Sequence, residues 1–403
     1  MKPGILEETR LRPTLNLTQI YGPDLIFSPR ASPNACTWLP AASQVVADNM
    51  TGGSLSVAGT MPFVCAAGVS TPKGLQLLRD GGLNTPPVLF RYFDAADYLC
   101  LLKKLGQEEK QLAFQYVHPA SEFPSENYWV KPEALSFLNN KVNLATLVST
   151  GHIPLRQVVT RDRLESGVSF FRFPLVVKAV TDEPTAGGCD VVICGERSDL
   201  GIAVTTFRSC LHVMVEECLP IKHNLCLNYA ATAGGAINYL GCAEQVCDAR
   251  GKYQGNWIDP ETQAPPLAVE IGTKIVAAGI ALGYYGCVGI DMGVLEDDRI
   301  VAFDLNFRIN GSTTPLLLAE SVRAHLGKTV FRFRRMQGNS TYCNLLKSVY
   351  AAMKKGIFLP LVTFDPEAGR YAKSPPRLNG LILGNTREEA QEYERELSTM
   401  SLS

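Results

Sequence analysis

Residues 302–311 of the chain read AFDLNFRING, and residues 289–293, shortly before them, read GIDMG. In the longer stretch Asp304, Asn306 and Arg308 alternate with apolar residues. Successive side chains of a β-strand point to opposite faces, so this alternation places the three polar side chains on one face and leaves the other apolar. The stretch therefore predicts a strand with one buried face and one face that carries chemistry.

The acidic residues 296–298 separate the two stretches and are typical of a turn. A hairpin across this turn brings Asp291 near Asp304, and together with Asn306 they offer hard oxygen donors on one rigid surface. Such a set suits Mg²⁺ held together with substrate phosphates, and Mn²⁺ accepts the same donors. Alternation is common in sheets, so a half-exposed hairpin with solvated polar residues is the plainer interpretation. Arg308 either pairs with one of the carboxylates or contacts a transferring phosphoryl group.

Length and charge narrow the class of protein. The chain has 403 residues, enough for two or three packed units, and its 38 Lys and Arg balance 39 Asp and Glu. No global positive field favours nucleic acid or an anionic membrane, so small molecules are the expected partners. The longest apolar run, residues 275–290, is interrupted by glycines and is shorter than the ~20 residues of a spanning helix. We see no signal peptide and expect a cytoplasmic protein whose scattered cysteines stay reduced.

The pattern of apolar residues changes along the chain. Apolar segments at 61–69 and 88–92 flank a helical segment at 72–80, a β-α-β order that predicts an α/β domain. From Pro174 onward short strands predominate, which predicts an α+β lobe with an antiparallel sheet. The resulting division is an N-terminal domain at 1–134, a central domain at 135–330 with a small lobe at about 160–225 and a large lobe at about 226–330, and a C-terminal segment at 331–403 packing on the large lobe.

A polar stretch from Asp248 to Pro266 contains Gly, Asn, Asp and three prolines. Long polar loops beside a site commonly serve as lids, so the stretch is predicted to be a loop that closes over the site. The residues after it are predicted to form a helix at 268–282, followed by the hairpin.

The order Asp304-x-Asn306-x-Arg308 resembles the acidic-x-Asn-x-Arg signature of ATP-grasp enzymes, with Asp291 at their other metal-binding carboxylate. The ending Arg308 to Ser312, together with the leading α/β domain, is most similar to peptide ligases of the pheganomycin biosynthetic type. The resemblance implies an ATP-grasp fold, with an α/β pre-ATP-grasp domain in front and the nucleotide held between two α+β lobes.

The same resemblance assigns residues to the phosphates of ATP. Lys141, at a predicted helix start, and Lys178, inside an apolar strand, match the two lysines of the family. An unpaired ammonium is costly to bury, so an anion is expected at Lys178, although an edge-strand lysine that reaches solvent is the alternative. Lys141 is otherwise an ordinary exposed lysine. Gly187 and Gly188 follow at the position of the family's phosphate loop, but they fit a plain hairpin turn equally well.

Residues 213–220, VMVEECLP, resemble the family's hinge, where adenine is held. Glu216 and the backbones of Glu217 and Leu219 are the candidates for adenine. Many relatives have a ribose-binding glutamate seven residues after the first one, where this chain has His223. His223 or the adjacent Asn224 is the candidate for the ribose, and a surface histidine without a role is the simpler interpretation.

The function implied is a ligase that uses ATP and Mg²⁺ to convert a carboxylate into an acyl phosphate and transfers it to an amine, releasing ADP and phosphate. Arg308, Asn310 and Ser312 would stabilise the charge that develops. The substrates implied are amino acids or short peptides, in secondary metabolism such as antibiotic biosynthesis, with a homodimer as a common assembly. The alternatives are transfer to a carrier-protein thiol, a small-molecule kinase, and a nucleotide-binding scaffold without activity.

Overall fold

The fold is that of a computed structural model, which describes residues 11–34, 43–181, 190–248 and 251–402. Within these ranges the chain forms three sheets, one of eight strands and two of four. No helix in the described ranges combines the length and apolarity that a membrane crossing requires. The predicted class, α/β followed by α+β, is confirmed.

The first sheet is parallel and belongs to the N-terminal domain. Its strands lie in the order β3-β2-β1-β4. Strands β1, β2 and β4 consist of buried residues, as is typical of a parallel sheet covered on both faces. The elements are α1 (Leu17–Tyr21), β1 (Ile26–Ser28), α2 (Ser43–Met50), β2 (Phe63–Ala66), α3 (Pro72–Asp80), β3 (Leu89–Tyr92), α4 (Ala95–Gln107) and β4 (Leu112–Phe114).

The second sheet is antiparallel and forms a small lobe with its own core. Two helices, α5 (Pro132–Asn139) and α6 (Leu144–Leu147), lead into it. Its strand order is β5-β8-β6-β7, so a strand that the sequence did not predict, β5, lies at one edge. The elements are β5 (Arg156–Thr160), α7 (Leu164–Gly167), β6 (Leu175–Ala179), β7 (Val191–Cys194), α8 (Leu200–Thr206) and β8 (His212–Glu217).

The third sheet has eight strands in the order β13-β12-β9-β10-β11-β14-β16-β15. Its last three strands come from the C-terminal quarter of the chain, which therefore continues the same sheet. The strands are β9 (Ile221–Ala231), β10 (Ile237–Cys247), β11 (Tyr253–Ile258), β12 (Gly286–Leu295), β13 (Ile300–Asn306), β14 (Val330–Gln337), β15 (Phe358–Phe364) and β16 (Arg377–Gly384). The helices are α9 (Pro266–Ala281), α10 (Thr313–Leu326), α11 (Tyr342–Lys354) and α12 (Arg387–Thr399).

The predicted hairpin is present as β12 and β13, and Asp291 lies directly opposite Asp304. A bulge follows, because Met292 pairs with Ala302 and leaves Phe303 as the extra residue. Gly293 makes room for the Phe303 ring, since a Cβ at Gly293 would lie 2.6 Å from it. The bulge turns Phe303 toward the site instead of the apolar face that simple alternation predicts.

The predicted lid at 248–266 is wrong for its central part. Tyr253–Ile258 forms β11, which pairs with β10 on one side and β14 on the other. The polar residues that suggested a loop are accommodated in the sheet: Gly255 has a φ of +117° and lies against the carbonyl of Phe333. Asp259, just after the strand, is buried and pairs with Arg387 of α12 at 2.8 Å.

Candidate active site

A cavity of about 380 Å³ lies where the three sheets meet. Each part of the fold contributes to its wall, including Met50 from the N-terminal domain, Lys178 from the small lobe, Asp291 from the large lobe and Arg335 from the C-terminal strands. Cavities at the junction of domains are common places for ligands.

The small-lobe side of the cavity carries one buried carboxylate between two cations. Lys178 Nζ lies 2.6 Å from Glu216 Oε2, and Arg156 binds the other carboxylate oxygen. Burial alone would raise the pKa of Glu216, but Lys178 and Arg156 outweigh it and lower the pKa, so the carboxylate stays ionised. Lys178 also donates to the carbonyl of Phe303 at 3.2 Å, which ties the small lobe to the hairpin.

Lys141 bridges the lobes in a similar way. Its ammonium lies 2.5 Å from Asp304 Oδ2 and 3.2 Å from Asp190 Oδ2. Burial would lower the pKa of Lys141, but the two carboxylates raise it above its usual range, so the ammonium keeps its charge. The sequence predicts that Lys141 and Lys178 each contact an anion. In the structure each lysine contacts a carboxylate beside the cavity.

The candidate metal ligands lie together on the hairpin. Asp291 accepts from Gln245 Nε2 at 2.7 Å and lies 3.4 Å from Asn306 Nδ2. Burial, followed by the charge of Asp304, raises the pKa of Asp291 to about 6. A cation bound between the two carboxylates would offset this repulsion and stabilise the ionised form of Asp291.

The donor set fits Mg²⁺. The described residues contain no cluster of three or more His, Cys, Asp or Glu side chains able to hold a metal ion. An ion at Asp291 and Asp304 would take water and substrate phosphate as further ligands, the mode Mg²⁺ prefers over an all-protein cage. The Asn306 amide oxygen accepts from Arg308 and would have to turn toward the ion to join them.

Arg308 and the turn after it line the cavity. Arg308 donates to Asn306 Oδ1, and its guanidinium is 5.5 Å from the centre of the Tyr116 ring. Asn310 Oδ1 accepts from the backbone and the hydroxyl of Ser312, both at 2.9 Å. Ser312 is buried and also receives Asn228 Nδ2 at 3.1 Å. Through these hydrogen bonds Asn310 and Ser312 stabilise the turn that follows Arg308.

The hinge after β8 lines the cavity with Glu217, Cys218 and Leu219. Glu217 accepts from the backbone of Leu155 at 2.7 Å. His223 is not among the lining residues: its side chain is 51% exposed and lies 3.4 Å from Glu244. Asn224, the other candidate for the ribose, does line the cavity. Gly187 and Gly188 lie outside the described residues.

Several lining or supporting residues were missed by the sequence. Arg156 and Asp190 complete the two ion-pair clusters, and Gln245 holds Asp291. Each comes from a strand or turn whose pairing is not visible in the local sequence. For Gly311 the sequence offered one signal, its place directly after Asn310. In the structure a Cβ at Gly311 would lie 2.5 Å from the Tyr253 hydroxyl, so only glycine lets the turn approach Tyr253.

Solved structures with a similar fold include two synthetases in complex with ADP and an amino acid ligase. The ADP complex of an N5-carboxyaminoimidazole ribonucleotide synthetase has a TM-score of 0.61 at 12% identity over 96% of this chain and 98% of that one. The Staphylococcus aureus enzyme of the same name with ADP gives 0.60 at 10%, over 97% and 99%. An L-amino acid ligase from Bacillus licheniformis gives 0.54 at 11%, over 94% and 98%. At these identities the likeness shows the fold alone.

Two family models then specify the kind of ligase. The N-terminal domain of L-aspartate–L-methionine ligase matches residues 16–136, and its ATP-grasp domain matches residues 154–306. With both domains matched, the chain belongs to this family of ATP-dependent, ADP-forming amino acid ligases. The resemblance to ATP-grasp carboxylate–amine ligases is confirmed.

Proposed function

We propose that the protein joins L-aspartate to the amine of L-methionine, with ATP and Mg²⁺, through an aspartyl phosphate. The family name supplies the two amino acids. The observation that carries the chemistry is the convergence of Lys141, Asp291, Asp304 and Arg308 on one cavity wall. Transfer to a carrier-protein thiol, a homodimer and a role in antibiotic biosynthesis have no support in the family match.

The small-lobe end of the cavity binds ATP in this proposal. Lys178 and Lys141 are buried cations with carboxylate partners, so phosphate oxygens exchange one anionic partner for another without leaving a buried charge unpaired. Val176, Ile193 and Leu219 provide an apolar slot for adenine beside the hinge backbone, and Asn224 is placed for the ribose. The Glu216 side chain, held by two cations, positions Lys178 instead of contacting adenine.

Mg²⁺ at Asp291, Asp304 and Asn306 supplies charge neutralisation at the phosphates. A carboxylate oxygen of aspartate attacks the γ-phosphorus, and ADP leaves with the bonding electrons. The neutral amine then attacks the acyl carbon, phosphate departs with the C–O electron pair, and the amine proton ends on that phosphate. Arg308 faces this centre and offers a fixed fork of donors to the oxygens that gain charge.

The test measures ADP, phosphate and product mass with L-aspartate and L-methionine, singly, together, and against a panel of other amino acids. We expect equal amounts of ADP and phosphate only when both substrates are present, and a product lighter than their sum by one water. Lys178→Met should lower kcat/KM by about 100-fold or more, the range for a lost contact to a charged group. Lys274→Met, an exposed lysine on α9, is the matched control and should be unchanged.

Two results would contradict the proposal. ADP without phosphate, with a stable phosphorylated product, indicates a kinase. Phosphate release that depends on another pair of amino acids keeps the ligase and replaces the substrates.

A further inference from the structure

The end of the cavity away from the hinge is formed by the C-terminal strands. On β14 the residues alternate, so that Phe333 and Arg335 line the cavity while Arg332 and Arg334 face α12. The latter two arginines both pair with Glu394 of that helix. Cross-strand pairing places Asn379 of β16 opposite Arg335, and it too lines the cavity.

Arg335 brings a positive charge to this end without a matching carboxylate. Among the described residues no Asp or Glu lies within ion-pair distance of it. Its guanidinium instead lies 5.3 Å from the centre of the Tyr253 ring. A guanidinium stacked on an aromatic ring keeps its fork of donors at the edge, where a carboxylate can be bound by two of them.

Two residues that line the cavity each have a buried polar atom without a hydrogen-bond partner in the described part of the chain. These atoms are the hydroxyl of Tyr253, on whose ring Arg335 stacks, and the side-chain oxygen of Asn256. Asn256 is 1% exposed, and both residues line the cavity. A buried polar atom left without a partner costs about 1–3 kcal/mol, so these atoms indicate a polar ligand. Burial raises the pKa of Tyr253, so its hydroxyl keeps a proton to donate.

This polar group is close to the reacting centre. The Tyr253 hydroxyl lies close to Gly311, three residues after Arg308, since a Cβ at Gly311 would be 2.5 Å from it. Arg335 stacks on the ring of the same tyrosine. The neighbouring wall is apolar, with Phe333, Leu361 and Pro315. One small molecule with a carboxylate and an apolar side chain fits this combination.

We infer that Arg335 and Tyr253 bind the α-carboxylate of the amine substrate, whose apolar side chain packs against Phe333 and Leu361. The inference rests on the proposed ligation. The nucleotide phosphates already have Lys141 and Lys178, and the reacting carboxylate has Arg308 and the hairpin. Two carboxylates remain, the non-reacting one of aspartate and the one that the amine substrate carries through the reaction unchanged. The apolar side chains of Phe333 and Leu361 in the same wall favour the second.

The test compares L-methionine with the amine that remains when its carboxylate is removed, using wild type, Arg335→Met and Tyr253→Phe at saturating ATP and aspartate. Arg335→Met should raise KM for methionine about 10- to 100-fold, the range for one charged hydrogen-bonded contact. The KM for the carboxylate-free amine should equal that of wild type. Tyr253→Phe should raise KM for methionine about 2- to 10-fold, as for a neutral hydrogen bond.

Arg334→Met is the matched control, since it alters the adjacent residue on the opposite face of β14 and should leave both KM values unchanged. Equal losses for both amines, no loss, or a rise in KM for aspartate instead would overturn the inference. Calorimetric binding of methionine in the presence of ADP separates the two proposals. If methionine binding depends on Arg335 but no amide forms, the subsite is supported and the proposed ligation is wrong. If an amide forms and the reaction does not depend on Arg335, the ligation is supported and the subsite is wrong.

Discussion

The molecule contains two buried ion-pair clusters of similar composition and different surroundings. In the N-terminal domain, Arg30 Nε lies 2.7 Å from Asp48, with both side chains fully buried. The hydroxyls of Tyr92 and Tyr371 donate to the same carboxylate at 2.9 and 2.7 Å. In the small lobe, Lys178 and Glu216 are almost as buried, but both line the cavity.

The two clusters differ in whether a substrate or solvent can contact the charge that remains after its ion-pair partner is removed. Arg30 and Asp48 do not line the cavity, and the guanidinium stacks on two tyrosines, Tyr92 and Tyr98. Removing either charge there leaves the other buried and unpaired, which costs stability. At the cavity a substrate or solvent can meet the remaining charge, so a substitution should cost activity first. A substitution in an enclosed ion pair should therefore lower stability, whereas a substitution in an ion pair that lines the cavity should lower activity.

The largest expected effect is on the cavity side. Asp304→Asn removes a carboxylate that contacts Lys141 and faces Asp291, and should lower kcat by about 1,000-fold or more, comparable to losing one key electrostatic contact at a reacting centre. The free energy of unfolding should change by less than about 1 kcal/mol. Steady-state phosphate release and urea denaturation measure the two.

The control is Asp298→Asn in the turn of the same hairpin. Asp298 is exposed and has a φ of +64°, a conformation that Asn adopts readily. A large fall in stability for Asp304→Asn, with activity retained in the folded fraction, would reverse the comparison.

The enclosed cluster should show the opposite balance. Asp48→Ala leaves Arg30 buried without its carboxylate and should lower the free energy of unfolding by about 3–5 kcal/mol. Urea denaturation followed by circular dichroism checks this, with Asp24→Ala, at an exposed position of the same domain, as the control. An unfolding midpoint equal to that of wild type would show that the enclosed pair contributes little.

His118, beside the enclosed cluster, makes the stability of the protein depend on pH. It lies 2.8 Å from the Tyr98 hydroxyl and 3.1 Å from the carbonyl of Tyr116. Burial lowers the pKa of His118 to about 3, so the folded ring stays neutral while the unfolded ring takes up a proton below about pH 6.5. Stability is therefore lost as pH falls from about 6.5 toward 3, by about 2 kcal/mol at pH 5.

His118→Asn should reduce the loss of unfolding free energy between pH 7 and pH 5 by that amount. Chemical denaturation at the two pH values measures it. The exposed His212, replaced by Asn, should leave the pH dependence as in wild type. If the pH dependence of the unfolding free energy is the same in His118→Asn as in wild type, other groups produce it.

The smallest effect belongs to a pair that is neither enclosed nor at the cavity. Lys104 and Glu108 lie 3.9 Å apart on α4, with side chains 72% and 45% exposed. Lys104→Met should change stability by less than about 0.5 kcal/mol and leave kcat/KM unaltered. A change above 1 kcal/mol in thermal or urea unfolding would show that burial is not what separates the clusters.

The hairpin was predictable because its signal is local. Asp304 and Asn306 alternate with apolar residues within one strand, Arg308 follows two residues after its end, and the turn lies directly before the strand, so the sequence contains both the period and the register. The bulge at Phe303 was not predictable, since it depends on the space that Gly293 leaves on the neighbouring strand. Local alternation therefore predicts the positions of the candidate metal ligands but not that of the aromatic residue beside them.

Pairing between distant segments hid the rest of the site. Three arginines lie within residues 332–335, and only the contact of β14 with α12 decides that Arg335 faces the cavity. The polar composition of Tyr253–Ile258 favours a loop, but the strand is stabilised by β10 and β14 together. Tertiary contacts of this kind override local preference.

The position of β11 also has a consequence for folding. This six-residue strand joins the last three strands of the large sheet to the four before it, and its outer partner, β14, begins only at Val330. A chain emerging from the ribosome therefore shows an uncovered strand edge at β11 until some 75 further residues have appeared. Such edges pair readily with other chains, so a product truncated before β14 should aggregate and not persist as a smaller enzyme.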